Sequence, residues 1–146
     1  MDWLTWLWLT ALAICGVFTT MLGVAHFFFP VLLDFNAAIP RTGPPLKSFR
    51  LGPIRYPTKR SDVYGIAWVM NHAASYTLVS IGIVDLVAFA WFGSTIGMIV
   101  LLWISGWWFI RAASQVYLGR RAGDWWIVAG FAWFGLVHLG AALWSR

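Results

Sequence analysis

Charge is scarce in this chain, and four long stretches go almost entirely without it. Charged residues make up 10% of the sequence, against about 25% in an ordinary soluble domain. The stretches are Trp3–Leu33, Val63–Phe92, Thr95–Leu118 and Trp125–Trp144. Each is long enough to cross a bilayer, which takes ~20 apolar residues. Cysteine is nearly missing too. Cys15 stands alone, so an intrachain disulfide is excluded, and a lone thiol inside an apolar run reads as packing. No C-x-x-C-H is present for covalent haem attachment. No glycine-rich phosphate loop, Walker motif or H-E-x-x-H occurs. The three histidines stand too far apart in sequence for a local zinc site. So little chain lies outside the four runs that a separate soluble domain is excluded.

What is present is apolar and aromatic. The sequence is 61% hydrophobic and 18% aromatic, with 12 tryptophans and a mean hydropathy of +0.76. One small core cannot bury that much apolar surface, and lipid is the solvent that fits. The expectation is an all-α integral membrane protein, with residues 1–146 forming a single four-helix transmembrane domain. The N-terminus has no basic region, begins Met1-Asp2, and runs on too long for a cleavable signal, so the first run is expected to be a retained anchor.

The net charge of +5 and pI near 10.0 raise nucleic acid as a partner. The distribution of the cations argues against it, because they sit in loops beside the apolar runs. Basic loops there meet anionic lipid headgroups. If the chain crosses four times, nine of the ten Lys and Arg residues fall on one side. Arg41, Lys47, Arg50, Arg55, Lys59 and Arg60 follow the first run. Arg120 and Arg121 follow the third, with Arg111 within snorkelling reach. Arg146 alone lies opposite, on the side of Asp2. The positive-inside rule then places both termini on the non-cytoplasmic side and both basic loops in the cytoplasm of a cell (inner) membrane. Trp3, Trp6, Trp8, Trp91 and Trp144 are expected in an outer interfacial belt, and Trp68, Trp125 and Trp126 in an inner one.

The one substantial loop, residues 34–62, is basic and holds Pro40, Pro44, Pro45, Pro53 and Pro57. Repeated proline forbids a long helix and favours extended or turn structure. The segment reads as coil on anionic headgroups, or as a docking segment or lid. Ser61-Asp62 is positioned to cap the second helix. Gly119 and Gly123-Asp124 make the last turn short, so helices three and four should be antiparallel neighbours.

Small and polar residues recur at spacings of three and four, which places them on one helical face. The first run offers Gly16, Thr19, Gly23 and His26. The second offers Asn71, Ser75, Leu78, Gly82 and Asp85, with His72 and Tyr76 on an adjoining stripe. The third offers Gly97, Leu101, Ile104, Trp108, Arg111 and Gln115. The fourth offers Phe131, Gly135, His138 and Ala142. Small residues on such a face let membrane helices approach closely.

Five ionisable side chains interrupt the runs: His26, His72, Asp85, Arg111 and His138. Such groups are costly in lipid and are functional candidates by default. At about 1.5 Å of rise per residue, His26, His72, Asn71, Arg111 and Gln115 share the inner leaflet, and Asp85 and His138 the outer. Asp85 and His138 suit an interhelical polar clamp or a proton-handling dyad. His26 and His72 suit metal ligation, as axial ligands to haem b or to the magnesium of a chlorophyll-type pigment. Asn71 and Arg111 would complete a cofactor site, Arg111 meeting a propionate or a quinone or lipid headgroup.

Ser105-Gly106 and the His138-Leu139-Gly140 run resemble, over about six residues, the serine–histidine dyad of rhomboid intramembrane proteases. Trp103 replaces the first glycine of that family's G-x-S-G motif, and four runs stand where the family has six helices, so no catalytic residue is assigned. Enzymatic activity is left open, with a non-catalytic role favoured. Three functions are expected, in order: a small subunit packing with itself or other subunits in a larger membrane assembly; a haem, (bacterio)chlorophyll or quinone protein; and a proton- or solute-conducting oligomer. The aromatic third run (Trp103, Trp107, Trp108, Phe109) covers more than half its helix circumference, as a protein-facing helix does.

Overall fold

A computed structural model describes residues 2–117, 121 and 123–145. Leu118, Gly119, Arg120 and Arg146, which serve above as run end, turn and topology markers, lie outside the described residues, as does Met1. In chain order the elements are α1 (Trp3–Leu32), a one-turn α2 (Phe35–Ala38), a hairpin of β1 (Phe49–Leu51) and β2 (Ile54–Tyr56), α3 (Arg60–Leu86), α4 (Thr95–Ser114) and α5 (Asp124–Trp144). Short 3-10 turns follow α3 at Ala88–Ala90 and α4 at Gln115–Tyr117.

Among the described residues, three helices, α1, α4 and α5, are long and apolar enough to cross a membrane. The 27-residue α3 is long enough but more polar, since it carries Asp62, Asn71, His72, Ser75 and Asp85. The expectation of four similar apolar spans therefore becomes three apolar helices and one mixed helix. The second run also starts earlier and ends sooner than its hydropathy suggests. It is helical from Arg60 and stops at Leu86, where the 3-10 turn takes over.

The helix starts explain where most of the acid in this chain goes. The first N–H groups of a helix lack intrahelical partners. Asp2 accepts from Thr5 N at 2.8 Å, and this backbone hydrogen bond holds its carboxyl below the usual aspartate range. Asp34, in the left-handed region at φ 44, accepts from Ala37 N at the start of α2. Asp62 reaches back to Lys59 N at 2.8 Å, the carboxylate half of a capping box. Asp124 does the same for Arg121 N at 2.8 Å. Ser94 caps α4 through Gly97 N at 3.0 Å. Of the five acidic residues in the sequence, Asp85 alone is placed inside a helix, away from its start.

The chain forms two compact units, Met1–Thr19 with Ile81–Arg146, and Thr20–Ser80. In the first, Leu9, Leu12, Cys15, Ala88, Leu101, Val137, Ala141 and Ala142 make an apolar core. Gly16 sits against α3 so closely that a Cβ there would lie 2.8 Å from Gly82 O. Helices α4 and α5 pack antiparallel, with Trp108 against Phe131 and Phe134 and the Phe109 ring over Gly135. Trp8 is half-buried, its ring against Gly140 in a space only glycine leaves. Of the other tryptophans expected at the interfaces, Trp3, Trp6, Trp144, Trp125 and Trp126 are exposed, and Trp68 and Trp91 are half-buried.

In the second unit, Gly23 brings α1 onto α3, where a Cβ would meet Val79 N at 2.7 Å. The loop is not plain coil. Gly52, at φ +59, supplies the positive φ needed at the first central position of a two-residue hairpin turn. Tyr64 donates to Asn36 Oδ1 at 2.8 Å, Arg41 donates to the same oxygen at 3.1 Å, and the Arg41 guanidinium lies 3.9 Å from the Tyr64 ring centroid. These contacts tie the loop to the first turns of α3.

Candidate functional site

The first unit brings Asp85 and His138 together. Both are completely buried, on α3 and α5. His138 Nε2 lies 3.1 Å from each carboxylate oxygen of Asp85. His138 Nδ1 lies 2.7 Å from Phe134 O, one helical turn back. A carbonyl oxygen only accepts, so Nδ1 carries a proton and donates it there. One further proton remains to be shared between Nε2 and the carboxylate. Placed on nitrogen, it makes an ion pair; placed on oxygen, it makes a neutral pair in which Asp85 donates. Both arrangements have zero net charge, which is how two ionisable groups become tolerable in an apolar interior. Glycine at position 16 provides the room: a Cβ there would lie 3.0 Å from Asp85 Cβ.

Ser105 is buried nearby on α4, and its hydroxyl donates to Gly135 O at 2.8 Å. That bond fastens α4 to α5. It gives Ser105 a backbone partner rather than a histidine, unlike the dyad of the rhomboid resemblance. Arg111 is half-buried with its guanidinium carbon 5.3 Å from the Phe131 ring centroid, within cation–π range. The Trp108 indole nitrogen is buried with no hydrogen-bond partner.

The second unit holds His26, Asn71 and His72. Pro30 is the one proline inside α1. Having no N–H, it leaves the carbonyl four residues earlier, that of His26, without its helical partner. Asn71 Nδ2 donates to that carbonyl at 2.8 Å. Asn71 Oδ1 in turn accepts from His26 Nδ1 at 3.1 Å. A gap in one helix is thus repaired by an amide from another, and the same amide orients the imidazole. Sequence reasoning placed His26 and Asn71 together by depth but missed Pro30, whose position four residues after His26 was the available signal. Ser75 Oγ donates to Asn71 O at 2.7 Å, continuing the polar seam along α3.

His72 faces outward. Its Nδ1 donates to Trp68 O at 2.9 Å, and its ring stacks on Trp68 with centroids 5.5 Å apart. The Phe27 ring meets it edge-on at 5.8 Å. Among the described residues, no group of three or more His, Cys, Asp or Glu side chains is placed to hold a metal ion. Both ends of the Asn71 side chain are engaged by His26, so the amide serves the helix pair.

No protein-family model, curated protein or solved structure matches this chain.

Proposed function

We propose that this chain is a small non-catalytic membrane subunit that packs with copies of itself or with other subunits. In this reading α1, α3, α4 and α5 cross a cell (inner) membrane as a four-helix bundle. Both termini lie outside, and the basic segments at residues 34–62 and around Arg120-Arg121 face the cytoplasm and its anionic headgroups. The observation that carries the proposal is the pairing of polar side chains from different helices. Asp85 on α3 binds His138 on α5, and Asn71 on α3 binds His26 on α1 through two atoms. These bonds hold helix to helix, as a scaffold needs. The outward faces present Trp103, Trp133, Ile110 and Leu136 to lipid or to a neighbouring subunit. The experiment is native mass spectrometry of protein extracted from its own membrane in lipid nanodiscs. A defined oligomer, or a stoichiometric membrane partner, is the expected result. A clean monomer without a partner overturns the proposal.

A second reading, haem or chlorophyll-type pigment binding, is favoured by one feature of His72. Metal-ligating histidines characteristically donate their other ring N–H to a carbonyl, which fixes the tautomer and presents the remaining nitrogen. His72 makes that bond to Trp68 O and is exposed. His26 is the second ligand expected from the sequence. The visible spectrum of protein purified in mild detergent tests this reading. A Soret or chlorophyll band that His72→Ala abolishes supports it, and a featureless spectrum removes it.

A further inference from the structure

The β1–β2 hairpin has two chemically opposite faces. Its register pairs Phe49 with Tyr56, Arg50 with Arg55, and Leu51 with Ile54. Successive side chains on a strand point to opposite faces. Phe49, Leu51, Ile54 and Tyr56 therefore share one face, and Arg50 and Arg55 share the other. The apolar four are 41–66% exposed, and the Phe49 and Tyr56 rings stack at 5.2 Å. Two features of this ribbon are unfavourable in water. A two-stranded hairpin alone is marginally stable at best. Two arginines directly across from each other repel.

We propose that the hairpin is an interfacial ribbon whose apolar face enters an anionic lipid leaflet and whose arginine pair engages lipid phosphate. Charge complementarity singles out this occupant. Between Asp34 and Asp62 the chain carries six cations and no acid. A phosphate shared by Arg50 and Arg55 turns their repulsion into a bridge. Arg55 is already steadied, its Nε donating to Ser48 Oγ at 2.7 Å. The four-residue step from Tyr56 to Arg60 keeps β2 within about 15 Å of the start of α3. Amphipathic elements lie in the interface with their apolar face about 5–10 Å into the headgroup and acyl boundary. That depth leaves the opposite face level with the phosphates.

The inference rests on the membrane-spanning reading above. Its test uses the full chain carrying Cys15→Ala and a single new cysteine, Leu51→Cys or Arg50→Cys, labelled with an environment-sensitive fluorophore. The proteins are compared in phosphatidylcholine nanodiscs with and without phosphatidylglycerol. A probe at 51 should shift to the blue and be quenched by doxyl-labelled lipid in the anionic discs, while a probe at 50 stays water-like. Adding Arg50→Ser and Arg55→Ser to the position-51 protein should lower the ratio of inserted to free hairpin about thirty-fold in anionic discs. Equal, water-like signals at 50 and 51 overturn the proposal. So does a shielded probe at 51 that doxyl lipid fails to quench, which means a protein surface covers the hairpin. Insertion indifferent to phosphatidylglycerol overturns the phosphate role. Integration of the chain into discs is scored separately by resistance to alkaline extraction. A chain that is extracted fails the membrane reading itself, whereas one that resists extraction but shows no probe contrast fails the hairpin proposal alone.

Discussion

His138→Leu is expected to destabilise the fold by about 3 kcal/mol, because it leaves Asp85 alone among apolar side chains. Insertion scales assign about 2.5–3.5 kcal/mol to a lone charged aspartate at a helix centre. Asp85→Asn should be much milder, near 1 kcal/mol, since an amide can still donate to His138 Nε2. Replacing both residues with leucine should restore most of the stability, because a buried pair mainly offsets its own desolvation. Wild type, Asp85→Leu, His138→Leu and the double leucine variant form a double-mutant cycle, measured by reversible unfolding in bicelles. A double variant as unstable as His138→Leu sinks the idea that the pair is self-compensating.

The second large effect belongs to the glycines between α1 and α3. Gly16→Val and Gly23→Val are each expected to cost about 3 kcal/mol, at the upper end for overpacking. The clash is with rigid atoms. A Cβ at 16 meets Gly82 O at 2.8 Å, and one at 23 meets Val79 N at 2.7 Å. A flexible side chain could swing aside; a backbone atom moves only if its helix does. Gly106 is the internal control. No atom outside its own stretch of helix lies within 4 Å of a Cβ built there, so Gly106→Ala should be neutral or slightly stabilising through helix propensity. Comparable losses at 23 and 106 would mean that the α1–α3 approach contributes nothing.

The inward faces were readable from residue spacing alone. Gly16, Thr19, Gly23, Asn71, Ser75, Leu78, Gly82, Asp85, Gly97, Leu101, Ile104, Trp108, Gln115, Gly135, His138 and Ala142 are buried, while His26, Arg111 and Phe131 from the same faces are half-buried. His72 and Tyr76, set on the adjoining stripe, are exposed. A helix has one period, so a polar or small residue off that period announces itself. Which partner each residue meets was not readable, because spacing within a helix carries no information about its neighbour. Asp85 and His138 are 53 residues apart, and only packing joins them. The hairpin was overlooked for a different reason. Alternation of Phe49, Arg50 and Leu51 around Gly52-Pro53 is a strand signal, but it is three residues long on each side, and the surrounding prolines read more strongly as coil. The packing of Trp8 was hidden because the small residue that receives its ring, Gly140, lies on another helix.

The seat that Asn71 fills was made by Pro30, so the two positions share one constraint. Asn71 is needed where it is because residue 30 withholds a hydrogen, and a donor at 71 would be redundant beside an ordinary residue at 30. Changes at either site are therefore conditional on the other. Alanine at 71 should be harsh beside proline and mild beside alanine at 30. The last turn of α1 is in effect latched from outside, and opening the latch would leave a swivel between His26 and Pro30 without disturbing the helix on either side.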